Sequence, residues 1–255
     1  MILIDTHCHL YLEEFKTDIE QVVERAREQG VERFYLPAIN SEEIANIMFL
    51  EAKYPGVCIP MMGLHPCYVK ADYQTELAVV EEYLNKRSFP AAGEIGLDFY
   101  WDKTFVKEQY EAFTRQMQWA LDRGMPVVIH TRNAMKETIE TVQPFAAKGL
   151  RGIFHCFSGT AEDAKQITGM GFYLGIGGVI TYKNGGLPAA LENTGPEWLV
   201  LETDSPYLTP VPFRGKRNES SYLRYILEKL AEVKQISVNE LAAITTANAQ
   251  KIFGS

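Results

Sequence analysis

Eight apolar runs, each about as long as a buried strand, alternate with amphipathic stretches along this chain. The runs cover residues 2–7, 33–38, 57–65, 90–97, 126–131, 152–157, 171–178 and 198–204. A strand that is covered on both faces is hydrophobic along nearly its whole length, which is typical of parallel sheets. Strands that alternate with helices indicate repeated β–α units.

The stretches between and after these runs carry helical patterns, and four of them are clear: 19–30, 105–124, 221–235 and 237–253. Eight β–α units in 255 residues predict one α/β domain over residues 1–255, folded as a (β/α)₈ TIM barrel, whose usual size is about 250 residues. An open doubly wound sheet is the alternative. That fold favours a glycine-rich turn after the first strand, and a pair of histidines stands there instead.

The composition excludes several classes of protein. No run of about 18 apolar residues is present, so we expect no membrane span. The first residues lack a basic segment, so we expect no secretory leader. Four cysteines without a CxxC pair predict free thiols and a cytoplasmic location. A net charge of −8 argues against a protein that coats nucleic acid, although an enzyme with a small basic patch remains compatible with it.

Metal-ligating side chains gather at the ends of the apolar runs. All five histidines lie there: His7, His9, His65, His130 and His155. Three carboxylates share these positions: Glu94, Glu202 and Asp204. Side chains two residues apart on a strand point the same way, so we expect His7 and His9 to project together. Barrel active sites form at the C-terminal ends of the strands, which predicts a site there.

Imidazoles and carboxylates are the ligands of zinc, manganese, iron and similar divalent ions. Six of these side chains would already be more than one catalytic ion usually takes from a protein, which favours a dinuclear site that activates water. Each residue alone has an ordinary interpretation. Glu94 could be an ion-paired core carboxylate, and Asp204 could be a turn former. Burial of all these imidazoles and carboxylates without a metal would cost a large amount of free energy.

Six motifs carry a resemblance to a known family: DTHCHL, GLHP, GEIGLDFY, HTRNA, HCFSG and LETDSPYLTP. In this order, from residue 4 to about residue 219, they resemble the TatD-family metal-dependent deoxyribonucleases, which belong to the amidohydrolase-like barrels. The resemblance implies two divalent metal ions, with magnesium or manganese for turnover and zinc as an ion that such a site also binds.

The resemblance also implies the metal ligands, which are His7, His9, Glu94, His130, His155 and Asp204. His7 and His9 would bind one ion together with Asp204, and the last two histidines would bind the other. Glu94 would bridge both ions. Asp204 would also accept a proton from the metal-activated water, so that Asp204 and Glu94 are the predicted catalytic residues.

Three residues are predicted to contact the substrate: His65, Glu202 and Arg214. His65 would touch the scissile phosphate. Arg214 lies in the basic segment PFRGKRN and could grip a phosphate with two hydrogen bonds, or belong to a solvated loop. Arg132 is a weaker candidate. Several aromatic residues near the strand ends could stack unpaired bases or pack at the rim: Tyr68, Phe99, Tyr100, Trp101 and Tyr207.

These features predict a hydrolase that cleaves phosphodiester bonds of DNA from a 3′ end and prefers single strands. One alternative is a hydrolase of lactones, amides or phosphoesters on the same barrel. Many such enzymes bridge their ions with a carboxylated lysine, and none of the eight runs contains lysine. Another alternative is a non-enzymatic metal-binding scaffold. We expect DNA as the substrate, no obligate protein partner and a monomer.

Overall fold

Eight parallel strands form a barrel in the computed structural model, which describes residues 1–183 and 185–254. They are β1 (Leu3–Asp5), β2 (Val31–Pro37), β3 (Cys58–Met61), β4 (Ala92–Asp98), β5 (Val127–Arg132), β6 (Gly152–Phe154), β7 (Tyr173–Ile176) and β8 (Leu199–Leu201). Each strand falls within or overlaps one predicted run, so the (β/α)₈ prediction is confirmed.

Two contacts join the ladder β1-β2-β3 to the ladder β4-β5-β6-β7-β8 and close the barrel. Met62, directly after β3, forms a parallel bridge with Ala92 at the start of β4. The backbone N–H of Thr6, directly after β1, donates to the carbonyl oxygen of Leu201 in β8 over 3.0 Å. Closure leaves no free sheet edge between these strands.

The described residues form nine α-helices around and below the strands. They are α1 (Ile19–Glu28), α2 (Ile44–Lys53), α3 (Tyr73–Lys86), α4 (Val106–Arg123), α5 (Met135–Ala146), α6 (Ala161–Gly169), α7 (Leu187–Leu191), α8 (Leu223–Lys234) and α9 (Val238–Phe253). All four predicted helices are confirmed. Among residues 1–183 and 185–254, none of the helices has the length and hydropathy needed to cross a bilayer.

The interior of the barrel is filled by one side chain from each strand or the residue just before it. These are Ile4, Tyr35, Met61, Ala91, Val128, Ile153, Tyr173 and Val200. Helix α9 covers the N-terminal end of the barrel, where its Phe253 ring stacks on Tyr35 with centroids 3.8 Å apart. Asn248 of the same helix donates to the carbonyl oxygen of Leu199 over 2.7 Å. The C-terminal end is therefore the end left for a site.

The covering role of α9 is testable with Phe253→Ala. This change removes a buried ring from the barrel floor, so we expect the free energy of unfolding to fall by about 3 kcal/mol. Phe49→Ala is the matched control, because the Phe49 side chain on α2 is 63% exposed and should cost about 0.5 kcal/mol or less. Denaturant titration measures both. Equal losses would contradict a closing role for α9.

Candidate metal centre

The carboxylate of Glu94 lies at the centre of a histidine cluster at the C-terminal ends of the strands. Its Oε1 atom is 2.9 Å from His130 Nδ1, 2.9 Å from His155 Nε2 and 3.2 Å from His65 Nε2. The Glu94 side chain is only 2% exposed. Three strand ends, those of β3, β5 and β6, therefore place an imidazole nitrogen next to the same oxygen atom.

The other oxygen of Glu94 faces a second set of donors. Oε2 is 3.1 Å from His7 Nε2 and 3.6 Å from His9 Nε2, and these two nitrogens are themselves 3.2 Å apart. Asp204 Oδ1 lies 3.4 Å from His9 Nε2 and 3.7 Å from His7 Nε2. The structure thus brings all six predicted ligands together, with His65 beside them.

His7 and His9 occupy a different kind of position from the one predicted. The first strand ends at Asp5, so neither histidine belongs to it. The backbone turns towards the loop after β8 instead: Asp204 N–H donates to the His7 carbonyl over 2.9 Å, and His9 N–H donates to the Ser205 carbonyl over 2.8 Å. These hydrogen bonds bring both rings to the centre, so the expected shared strand face is not the reason for their convergence.

The hydrogen bonds of His9 determine which of its nitrogens is free. The hydroxyl of Tyr11 donates its proton to the carbonyl oxygen of Pro37 over 2.6 Å. Its oxygen therefore accepts from Nδ1–H of His9, over 2.7 Å. The proton of a neutral His9 is then on Nδ1, and the lone pair of Nε2 points at the cluster. Tyr11 is a supporting residue that the sequence analysis missed.

Glu202 supports His155 in the same way, which differs from its predicted contact with substrate. Its Oε1 accepts from the Cys156 N–H over 2.5 Å and lies 3.3 Å from His155 Nδ1. Glu202 is fully buried, and a Cβ on Gly175 would stand 2.1 Å from its Oε2, so glycine makes room for it. A fully buried Glu202 below His155 is placed to orient the imidazole.

Asp98 is a third supporting residue, and it was not among the predicted site residues. Its Oδ2 lies 2.9 Å from His130 Nε2, while His130 Nδ1 faces Glu94. Asp98 is four residues after Glu94 on β4, so its side chain shares the same face of the strand. That spacing, combined with the motif GEIGLDFY, is the signal that could have identified it.

His65 has the opposite arrangement from His9 and His155. Its Nδ1 accepts from the backbone N–H of Cys67 over 3.0 Å, so in the neutral ring the proton is on Nε2. Burial lowers the pKa of His65 to about 4, which favours this neutral form. A neutral His65 therefore presents a hydrogen-bond donor to the centre, whereas a metal ligand needs a lone pair there.

The loop that carries Asp204 is held from two sides. Asp204 has a left-handed backbone with φ +56°, which aspartate tolerates better than most residues. The buried carboxylate of Asp5 accepts from the Thr203 N–H over 2.9 Å. The amide of Asn218 donates to the carbonyl oxygens of Thr203 over 2.8 Å and Tyr207 over 2.6 Å. Asp5 and Asn218 therefore hold the backbone on both sides of Asp204.

The charges of the centre favour bound cations. Burial alone would raise the pKa of Glu94, but the surrounding imidazoles of His65, His155 and His7 hold that pKa well below its usual range. Burial likewise opposes the ionisation of Asp204, and His9 and His155 lower the pKa of this carboxyl. In the described chain, no lysine or arginine lies within ion-pair distance of either carboxylate.

The residues present therefore fit divalent metal ions. Three groups of side chains have potential ligand atoms within 4.8 Å of one another: His7, His155 and Asp204; His7, His9 and Glu94; and His65, Glu94 and His130, where the neutral His65 ring directs its N–H to the centre. Imidazole nitrogen and carboxylate oxygen are the donors that zinc and manganese bind. These sets group His155 with His7, whereas the sequence analysis paired it with His130, and the division of ligands between individual ions stays a prediction.

Arg214, the predicted phosphate contact, lies on the exposed loop after β8. Its guanidinium carbon is 3.7 Å from the centroid of the Tyr182 ring, a cation–π contact. No carboxylate lies within ion-pair distance of it in the described part of the chain. Its charge is available to an anion, and its contact with substrate stays a prediction.

Comparison with known proteins identifies the family. Residues 4–254 match the TatD related DNase family. The chain belongs to this family. A metal-dependent hydrolase of Bacillus subtilis, YabD, is 38% identical over 253 residues, which covers 99% of each chain. The 3′-5′ ssDNA/RNA exonuclease TatD of Edwardsiella piscicida is 33% identical, covering 98% of this chain and 99% of the relative.

The fold agrees with this assignment. The crystal structure of YjjV, a TatD homologue from Escherichia coli K12, superimposes with a TM-score of 0.93 at 26% identity, covering 99% of this chain and 98% of that one. The resemblance stated from the motifs is therefore confirmed. The protein is a member of a family of metal-dependent hydrolases, built on a (β/α)₈ barrel.

The support of His9 by Tyr11 is testable with Tyr11→Phe, which removes one hydroxyl and leaves the ring. Loss of the partner that holds a ligating histidine typically costs about 10- to 100-fold in metal affinity. We expect a loss in this range for the first or second Mn²⁺ bound, measured by calorimetric titration of metal-free protein. Tyr225→Phe, on α8, is the control. Equal affinities for the two variants would refute the supporting role.

Proposed function

We propose that this protein is an exonuclease that uses two divalent metal ions to cleave phosphodiester bonds of single-stranded DNA from a 3′ end. The observation that carries the proposal is the position of Glu94. Its two carboxylate oxygens face two different sets of imidazole nitrogens, at 2.9–3.2 Å on one side and from 3.1 Å on the other. Such a carboxylate is suited to bridge two ions.

Nucleic acid as the substrate is supported by relatives and by charge. The relative from Edwardsiella piscicida is named a 3′-5′ ssDNA/RNA exonuclease, and it covers the whole length of this chain except a few residues. Arg214 offers a guanidinium without a carboxylate partner among the described residues. A guanidinium can bind a phosphate with two parallel hydrogen bonds.

The ions, when bound, would polarise the phosphoryl group and make a water molecule a better nucleophile. Asp204 would take the proton of the attacking water. Its side chain is 13% exposed against 2% for Glu94, so it is the carboxylate of the centre that substrate and water reach most easily. The hydrogen bonds of Asp5 and Asn218 hold it in place for this role.

His65 would bind the phosphate and not an ion. Because the Cys67 N–H occupies its Nδ1 lone pair, the Nε2–H of the neutral ring is a donor directed at the centre. A non-bridging phosphate oxygen near Glu94 could accept this hydrogen bond. A donor aimed at the oxygen on which charge develops stabilises the transition state more than the ground state.

The proposal is tested by degradation of end-labelled single-stranded DNA with Mg²⁺ or Mn²⁺, and with EDTA. We expect metal-dependent loss of nucleotides from the 3′ end. Asp204→Asn keeps the shape of the side chain but removes the carboxylate that would act as the base, and should lower kcat by about 10²- to 10⁴-fold. Asp122→Asn, an exposed change on α4, is the matched control and should retain full activity.

Circular dichroism checks that each variant is folded. Metal-dependent cleavage that persists unchanged in Asp204→Asn would contradict the base role. A folded, metal-loaded wild-type protein that cleaves no nucleic acid but hydrolyses small lactones or phosphoesters would replace the exonuclease proposal by the small-molecule alternative.

A further inference from the structure

Two of the aromatic residues near the strand ends and one arginine form a cluster beside the metal centre that takes no part in the proposed hydrolysis. We call Tyr100, Trp101 and Arg132 the cation–aromatic platform. The guanidinium carbon of Arg132 is 4.0 Å from the Tyr100 ring centroid and 5.1 Å from that of Trp101. The two rings meet edge to face with centroids 4.9 Å apart. The three side chains therefore form one contiguous surface.

The platform is tied to the metal centre through Asp98. One oxygen of this carboxylate accepts from the backbone N–H groups of Tyr100 and Trp101, over 2.9 and 3.1 Å. The other oxygen lies 2.9 Å from His130 Nε2. Arg132 stands two residues beyond His130 at the end of β5. Few rotatable bonds thus separate the platform from the proposed metal ligands, so its position relative to the metal centre is fixed.

The platform is also open to a ligand. Trp101 is 68% exposed and Tyr100 is 51% exposed, which makes Trp101 the most exposed of the large hydrophobic residues. Exposed apolar surface beside a polar pocket is characteristic of binding sites. Within the part of the chain that the structure describes, no carboxylate lies within ion-pair distance of Arg132. Its positive charge is therefore not neutralised by the protein.

We propose that the cation–aromatic platform binds the nucleotides next to the scissile phosphate, with Trp101 stacked on an unpaired base and Arg132 in contact with a phosphate. This inference rests on the proposed exonuclease function and names the residues that determine its substrate. A flat apolar ring next to a free guanidinium matches the alternating base and phosphate of a nucleotide chain. In a duplex the bases stack on each other, so the platform selects single strands.

The test uses oligonucleotides that carry one abasic site, moved stepwise through the nucleotides nearest the 3′ end. In the wild type, one abasic position should raise KM about tenfold, because one stacking contact is lost. Trp101→Ala should raise KM of the intact oligonucleotide by about the same factor, and the abasic site should then have no further effect. Trp101→Phe should restore most of the affinity.

One further variant separates the parts of the platform, and a second is the control. Arg132→Gln should raise KM equally for intact and abasic oligonucleotides, because a phosphate contact does not depend on the base. Phe49→Ala is the matched control, an aromatic residue of similar exposure at 63% on helix α2. It should behave as the wild type.

The possible failures can be told apart. If the wild type degrades DNA but Trp101→Ala keeps the same KM, or still responds to the abasic site as the wild type does, the platform inference is wrong and the exonuclease function stands. If the wild type cleaves no DNA with metal bound, the proposed function fails, and the inference about the platform fails with it.

Discussion

The burial of the Glu94 carboxylate among histidines is the interaction on which the rest of the site depends. A buried carboxylate without positive partners costs several kcal/mol, so the fold must bring compensating groups to one point. The barrel does so by placing the ends of β1, β3, β5, β6 and β8 around Glu94 on β4. Closure of the sheet and the cover formed by α9 at the opposite end are therefore prerequisites of the chemistry.

The directions of three of the imidazoles are set by partners behind them. Tyr11 supports His9, Asp98 lies next to His130, and Glu202 lies next to His155. Such partners determine the tautomer and orientation of a ligating histidine. In His65 the Cys67 N–H donates to Nδ1, so the proton of the neutral ring is on Nε2 and the ring presents a hydrogen-bond donor to the centre. The same residue type thus has two chemical roles in one site, and the difference lies in hydrogen bonds to neighbouring residues.

Much of the fold and of the ligand set could be predicted from the sequence. Buried parallel strands leave apolar runs that a sequence shows directly, and every histidine stands at the end of one. The residues that support the histidines could not be predicted from the sequence, because they depend on which groups meet in three dimensions. Glu202 and Asp204 are two residues apart, and alternation alone suggests similar surroundings. The left-handed backbone of Asp204 breaks that alternation, so Asp204 reaches the centre while Glu202 stays below His155.

The bridging position of Glu94 is tested most directly by anomalous diffraction from crystals of the protein grown with Mn²⁺. We expect two peaks of anomalous density, one on the side of Glu94 Oε1 and one on the side of Oε2, so that the carboxylate bridges two ions. A single ion away from Glu94, or full occupancy of a site that does not include this carboxylate, would contradict it.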